Sequence, residues 1–229
     1  MPNNNTSKVH IPEKLVDIFS HLFAGRNDMR VVASGNIVLG PVTADNYRGH
    51  LEGTAPLAIL PQVNSECRFC AIGLDQNEKQ QSLAICQGFQ DVDINCYRAK
   101  SKADGHQVFM FFNEYVDAGK AYRLCELIME KMGVPGGVIR PLRSSPDDLG
   151  HGGHVVLPLF GRERQFVDPD ETPIPPLKVL KNISRYYSND IDSTLAQLEE
   201  CHDVLTAEVN TGMPDGIACA VSSADKRSF

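Results

Sequence analysis

Apolar and polar positions alternate along the chain with periods that separate helices from strands. In Ile11–Ala24, Leu15, Ile18, Phe19, Leu22 and Phe23 fall at helical spacing behind Pro12, which suits a first helical turn. Thr43–Glu52 predicts a second short helix with Thr43 as its cap. Asn36–Pro41 is a short apolar run that proline ends. Leu57–Pro61 and Phe69–Asp75 predict buried strands, Asn77–Phe89 a helix and Ile94–Ala99 a further strand. Gln107–Phe112 is the clearest strand. Ala118–Met132 is the clearest helix, with Ala121, Leu124, Leu127, Ile128 and Met132 on one stripe.

The second half is more broken. Gly133–Gly153, rich in Gly and Pro, predicts loop, and His154–Leu159 a strand. Asp168–Pro176 holds four prolines and reads as a linker or extended arm. Leu177–Tyr187 and Ser193–Val209 predict helices, the latter capped by Asp192 or Ser193. Residues 1–10 and 210–229 lack periodicity and are expected to be disordered. The expected organisation is a core over residues 11–188, an acidic helix over 189–209 and the tail. The fold class is α+β: a central β-sheet flanked by helices, plus a C-terminal helical tail.

Composition adds exclusions. Of 229 residues, 42% are apolar and 22% charged, enough for a packed core. Apolar runs stop near ten residues, whereas a membrane helix needs ~20. The polar start argues against a secretory signal, and seven cysteines in such a chain point to reduced thiols and a cytoplasmic setting. The net charge of −7 discourages a nucleic-acid reading at first sight. Its distribution reverses that impression. Residues 186–209 carry six acids and neither Lys nor Arg, and the tail beyond is balanced, so residues 1–185 sit near neutrality. A body of that kind can carry a phosphate-binding face.

Four segments could hold chemistry. Asp75 ends the strand Ala71-Ile72-Gly73-Leu74-Asp75; two-metal nucleotidyl transfer commonly places Asp-x-Asp there, because alternate strand residues point the same way, but the first position is Gly73. Arg98, Lys100, Ser101 and Lys102 lead through a Gly-containing turn to His106 at the mouth of a buried strand, a pattern suited to an anion; an ordinary hairpin with a charged tip fits it too. His151-Gly152-Gly153-His154 precedes a strand followed by Arg162 and Arg164. Cys67-Arg68-Phe69-Cys70 is half of a zinc pattern, and the other cysteines, Cys125 among them, read as small core residues.

The order of these segments resembles the archaeo-eukaryotic primase superfamily, in particular the primase-polymerase domains of TOTE conflict systems and the CRISPR-associated primase-polymerases. The resemblance begins at Leu22-Phe23-Ala24-Gly25-Arg26-Asn27-Asp28. It runs through His50-Leu51-Glu52-Gly53, Ile59-Leu60-Pro61, Gly73-Leu74-Asp75, the Ser101–His106 turn and Phe109–Phe112, and closes with Gly152-Gly153 and Leu157-Pro158-Leu159.

The resemblance implies a primase-polymerase-like core that joins nucleoside triphosphates on a single-stranded DNA or RNA template with Mg²⁺ or Mn²⁺. It also implies a fused or partner helicase, nuclease or polymerase. Asp75 would be a metal carboxylate. His106 would grip triphosphate with Arg98, Lys100, Ser101 or Lys102, and Arg162 and Arg164 would lie near phosphates. Two family carboxylates are missing. Gly73 replaces the first. The third belongs in an acid-x-aromatic-Pro segment; here the corresponding stretch, Gly137-Val138-Ile139-Arg140-Pro141, holds no acid. Asp147 and Asp148 follow at a different spacing as substitute metal ligands.

Three readings compete: an active enzyme with rearranged carboxylates, an inactive primase-like module that binds nucleotide or nucleic acid for a partner enzyme, and an unrelated α+β domain. On either of the first two, Asp75 and His106 are expected at adjacent strand ends facing one cleft. The acidic helix is expected to pack on the body or on a second copy through Leu195, Leu198, Val204 and Leu205.

Overall fold

In a computed structural model the described residues are 10–32, 36–74, 79–101, 105–142, 153–186 and 191–211. Among them six helices and two antiparallel sheets form, an α+β arrangement. Helix α1 (Glu13–Leu22) buries Leu15, Val16, Phe19 and Leu22 and begins after Pro12. Strands β1 (Met29–Val31) and β2 (Ile37–Leu39) form a hairpin. In α2 (Ala44–Glu52) the Thr43 N–H donates to Asn46 Oδ1 at 2.9 Å, which meets one of the backbone groups orphaned at a helix start.

Strand β3 (Ala58–Ile59) joins β1 on one side and β9 (Val155–Val156) on the other, so the first sheet runs β2-β1-β3-β9. The second sheet holds β4 (Gln62–Val63), β5 (Glu66–Leu74), β6 (Cys96–Lys100) and β7 (His106–Asp117) in the order β4-β5-β7-β6, with β8 (Val138–Arg140) on β5. Helices α3 (Lys79–Gln90), α4 (Ala118–Lys131), α5 (Pro176–Tyr186) and α6 (Ile191–Thr211) complete the chain. Asp117 caps α4, accepting from the Lys120 N–H at 2.8 Å.

The second sheet has a core on each face. On one face Phe69, Ala71, Ala99, Phe109 and Phe111 pack with Phe19 and Phe23 of the α1 segment. Phe23 centres this cluster, with ring centroids 4.7 Å from Phe19, 5.3 Å from Phe69 and 5.2 Å from Phe111. On the other face Cys70, Ile72, Leu74, Val108 and Met110 pack with α3, α4 and α6. Burial on both faces explains why β5 and β7 read as unbroken apolar runs.

The structure adds a sheet and short strands that the pattern does not reveal. β8 lies inside the segment expected to be loop; three residues are too few to set a period. The expected linker at Asp168–Pro176 instead folds back. Gln165 accepts from the Lys100 N–H at 2.9 Å, the Val167 N–H donates to Arg98 at 3.0 Å, and Val167 bridges Pro173, so the segment extends the second sheet beyond β6. In the acidic helix, Leu195 and Leu198 bury against the α4 side, with Lys120–Asp192 (2.7 Å) and Arg123–Glu199 (3.8 Å) at the rim. Exposed pairs of this kind contribute little. Cys67, Cys70 and Cys125 are buried. No helix among the described residues is long and apolar enough to cross a membrane.

His50, within a segment that carries the sequence resemblance, is a buried fastener. Its Nδ1 accepts from the Leu57 N–H at 2.9 Å, and its Nε2–H donates to the Pro158 carbonyl at 2.9 Å. Burial is the main cause that pushes its pKa down to about 4. Because the folded value lies below the unfolded one, stability is full above pH ~6.5 and falls as the pH drops toward 4, by roughly 3 kcal/mol from this ring. We expect the ring to remain neutral as the Nε2–H tautomer at pH 5.5 in long-range ¹H–¹⁵N spectra. A doubly protonated ring at that pH would reject the assignment.

Candidate anion-binding site

The β6–β7 pairing builds the site. Lys100 lies directly opposite His106 and Arg98 opposite Val108, so Arg98, Lys100 and His106 share the face that carries Val108 and Met110. Arg98 and His106 are buried, and Lys100 is half exposed. All three converge on one carboxylate, Glu171. His106 Nε2 lies 3.0 Å from Glu171 Oε2 and 3.2 Å from Oε1. Arg98 Nη2 donates to Oε1, and Lys100 Nζ lies 3.6 Å from Oε2. Arg98 Nη1 also reaches the Asp168 carbonyl at 3.3 Å. Partial removal from water pushes the Glu171 carboxyl up, but hydrogen bonds from His106 and Arg98 outweigh this and hold it below the usual carboxylate range.

Glu171 is the residue that sequence reasoning missed. It sits 65 positions from His106 in a segment whose prolines suggested a linker. The available signal was the acidic turn Asp168-Pro169-Asp170-Glu171 placed immediately after the last strand partner.

The other expected site residues divide. Ser101 closes the β6–β7 turn, its N–H donating to the Gly105 carbonyl at 2.9 Å. Arg162 is exposed and lines a cleft of ≈ 370 Å³ with Phe160, Glu52 and Leu15. Arg164 lies with its guanidinium 5.4 Å above the Phe160 ring, which in turn packs on His50. Its Nε and Nη1 are buried with no hydrogen-bond partner among the described residues, and burial lowers its pKa. Arg164 therefore belongs to the His50 side, whereas Arg98, Lys100 and His106 gather at Glu171. Lys102, Asp75, Asp147 and Asp148 lie outside the described residues.

The strand ends are adjacent as expected, since Leu74 pairs with His106. Gly73 pairs with Gln107 and so belongs to the opposite face from His106. On its other edge Gly73 pairs with Val138. Gly73 and Val138, which lie in the two segments where the resemblance calls for acids, are thus direct cross-strand neighbours, and both lack a donor side chain. A Cβ at Gly73 would meet only the Val138 carbonyl, at 3.8 Å, and Val138 is exposed. Among the described residues no three His, Cys, Asp or Glu side chains are grouped to hold a metal ion.

Fold and site together define an α+β domain with a polar cluster of Arg98, Lys100, His106 and Glu171 at one sheet end. The chain belongs to the archaeo-eukaryotic primase domain family of TOTE conflict systems, whose profile, described as "TOTE conflict system, Archaeo-Eukaryotic Primase domain", matches residues 29–194. No curated protein matches it. A solved structure, "Polymerase Domain from Mycobacterium tuberculosis Ligase D in complex with DNA", is similar at a TM-score of 0.38 and 12% identity, over 73% of this chain and 74% of that one.

Proposed function

We propose that this primase-family domain binds nucleoside triphosphates through Arg98, Lys100, Ser101, Lys102 and His106, in the service of template-directed nucleotidyl transfer on single-stranded DNA or RNA. The observation that carries the reading is the convergence of Arg98, Lys100 and His106 on a single anion, Glu171. Three nitrogen donors around one carboxylate are the donor set that phosphate oxygens require. Arg162 and Arg164 contact more distant phosphates of nucleotide or template. A helicase, nuclease or polymerase, fused or separate, in a cytoplasmic conflict system is the matching partner. With Mg²⁺ or Mn²⁺, the transfer itself would rest on Asp75, joined by Asp147 and Asp148. A second reading, an inactive module that binds nucleotide or nucleic acid for a partner enzyme, is favoured by the Gly73–Val138 pair.

Primer extension with labelled nucleotide, tested in Mg²⁺ and Mn²⁺ beside nucleotide binding, separates these. Extension by the wild type that Asp75→Ala abolishes establishes the enzyme. Nucleotide binding that weakens about tenfold or more in His106→Ala, without any extension, establishes the inactive module. Failure of the wild type to bind any nucleoside triphosphate overturns both.

A further inference from the structure

The anion position between Arg98, Lys100 and His106 is already filled by a side chain of the same molecule, and the segment that delivers it is a closed turn. Asp168 Oδ1 accepts from the Asp170 N–H at 3.0 Å and the Thr172 N–H at 2.8 Å. The Glu171 N–H donates to the Asp168 carbonyl at 3.0 Å, and the Asp168 N–H to that of Thr172 at 3.1 Å. Glu171 itself sits at φ 68°, the left-handed region that a non-glycine residue enters at a cost of roughly 1–2 kcal/mol. The turn thus holds a residue in an unfavourable backbone conformation to aim its carboxylate at Arg98, Lys100 and His106.

The site also holds polar nitrogens that Glu171 does not use. Arg98 Nε and His106 Nδ1 are buried with no hydrogen-bond partner among the described residues. At the same time the Glu171 and Lys100 side chains are 23% and 46% exposed, so the cluster is open to an incoming anion from the Lys100 side.

Building on the nucleotide-binding reading, we propose that Glu171 determines the class of ligand the site takes. Its carboxylate is an internal competitor that only a polyphosphate displaces. A monoanion or a single phosphate gains little by replacing a carboxylate that is already paired with Arg98, His106 and Lys100. A triphosphate brings several anionic oxygens, meets the same donors and releases the 168–172 turn. Selectivity for triphosphate over monophosphate is then set by the charge at position 171.

The test uses the full chain without added divalent metal. Inorganic tripolyphosphate, ATP and AMP are the probes, compared by calorimetry for the wild type and Glu171→Gln, with Glu171→Asp as a charge-retaining control. Glu171→Gln is expected to bind tripolyphosphate and ATP about tenfold more tightly and to narrow the ATP-to-AMP preference, because one charge-assisted competitor is gone. Glu171→Asp is expected to stay close to the wild type. In the wild type, tripolyphosphate is expected to speed amide hydrogen exchange at residues 170–172, and this measurement decides alone if Glu171→Gln does not fold. Unchanged or weaker binding by Glu171→Gln, or protection of the turn, overturns the proposal while nucleotide binding stands; Glu171 then only positions Arg98, Lys100 and His106. Absence of binding of any polyphosphate to either protein overturns the nucleotide-binding reading together with this one.

Discussion

Arg98→Ala is expected to weaken triphosphate binding by about tenfold or more and to lower stability by about 2 kcal/mol. Its guanidinium is buried and bonds both the Glu171 carboxylate and the Asp168 carbonyl, so truncation removes one ligand donor and two anchors of the 168–172 turn. Removing one member of a fully buried ion pair costs ~3–5 kcal/mol. Glu171 keeps Lys100 and His106 and some contact with water, which brings the figure down. Loss of a charge-assisted contact to phosphate weakens binding by about tenfold or more. Chemical denaturation and calorimetry read the two effects separately. Arg98→Lys keeps the charge but loses the fork that reaches both partners, so it should regain part of the binding and little of the turn order. Wild-type affinity in Arg98→Ala would remove this residue from the site. In the double variant Arg98→Met with Glu171→Gln, both charges are gone, and stability is expected to return toward that of the wild type. If it does not, the loss in Arg98→Ala arises from packing.

The second large effect concerns the missing carboxylates. Gly73 and Val138 are direct cross-strand partners, and such positions hold Cβ atoms about 4.5–5.5 Å apart on one face. Two carboxylates placed there can grip one divalent ion between them. Gly73→Asp combined with Val138→Asp is therefore expected to bind Mn²⁺ about tenfold or more tightly than the wild type, with each single change giving part of the gain. Both sites tolerate the change sterically, since the Gly73 Cβ position is open and Val138 is exposed. Without metal the two like charges repel, so the double variant should melt below the wild type and recover when Mn²⁺ is added. Manganese titration followed by spin resonance, with melting curves beside it, checks both. On the competing view Asp147 and Asp148 already hold the metals. The wild type would then bind Mn²⁺ tightly, the double variant would add little, and Asp147→Ala with Asp148→Ala would abolish binding.

Local chemistry in the sequence determined most of the elements. α1, α2, α4 and β7 follow from apolar periodicity, a Thr43 cap and continuous burial, all of which act within a few residues. Arg98, Lys100 and His106 around the β6–β7 turn were singled out together in the sequence, and the ordered series of segments was legible as the primase family. The absence of an acid at Gly73, and anywhere in the segment that holds Val138, was equally plain. That these two positions are neighbours was not, because they are 65 residues apart and only the register of β8 on β5 pairs them. Register is fixed by long-range packing of side chains, which has no local signature. The same holds for the faces. Alternation puts Gly73 and His106 on opposite sides of the sheet, and this becomes visible only once Leu74 is known to oppose His106. Glu171 is the clearest case: proline content correctly marked an irregular segment, but only the docking of residues 165–167 onto β6 turned that segment back and placed its carboxylate among Arg98, Lys100 and His106.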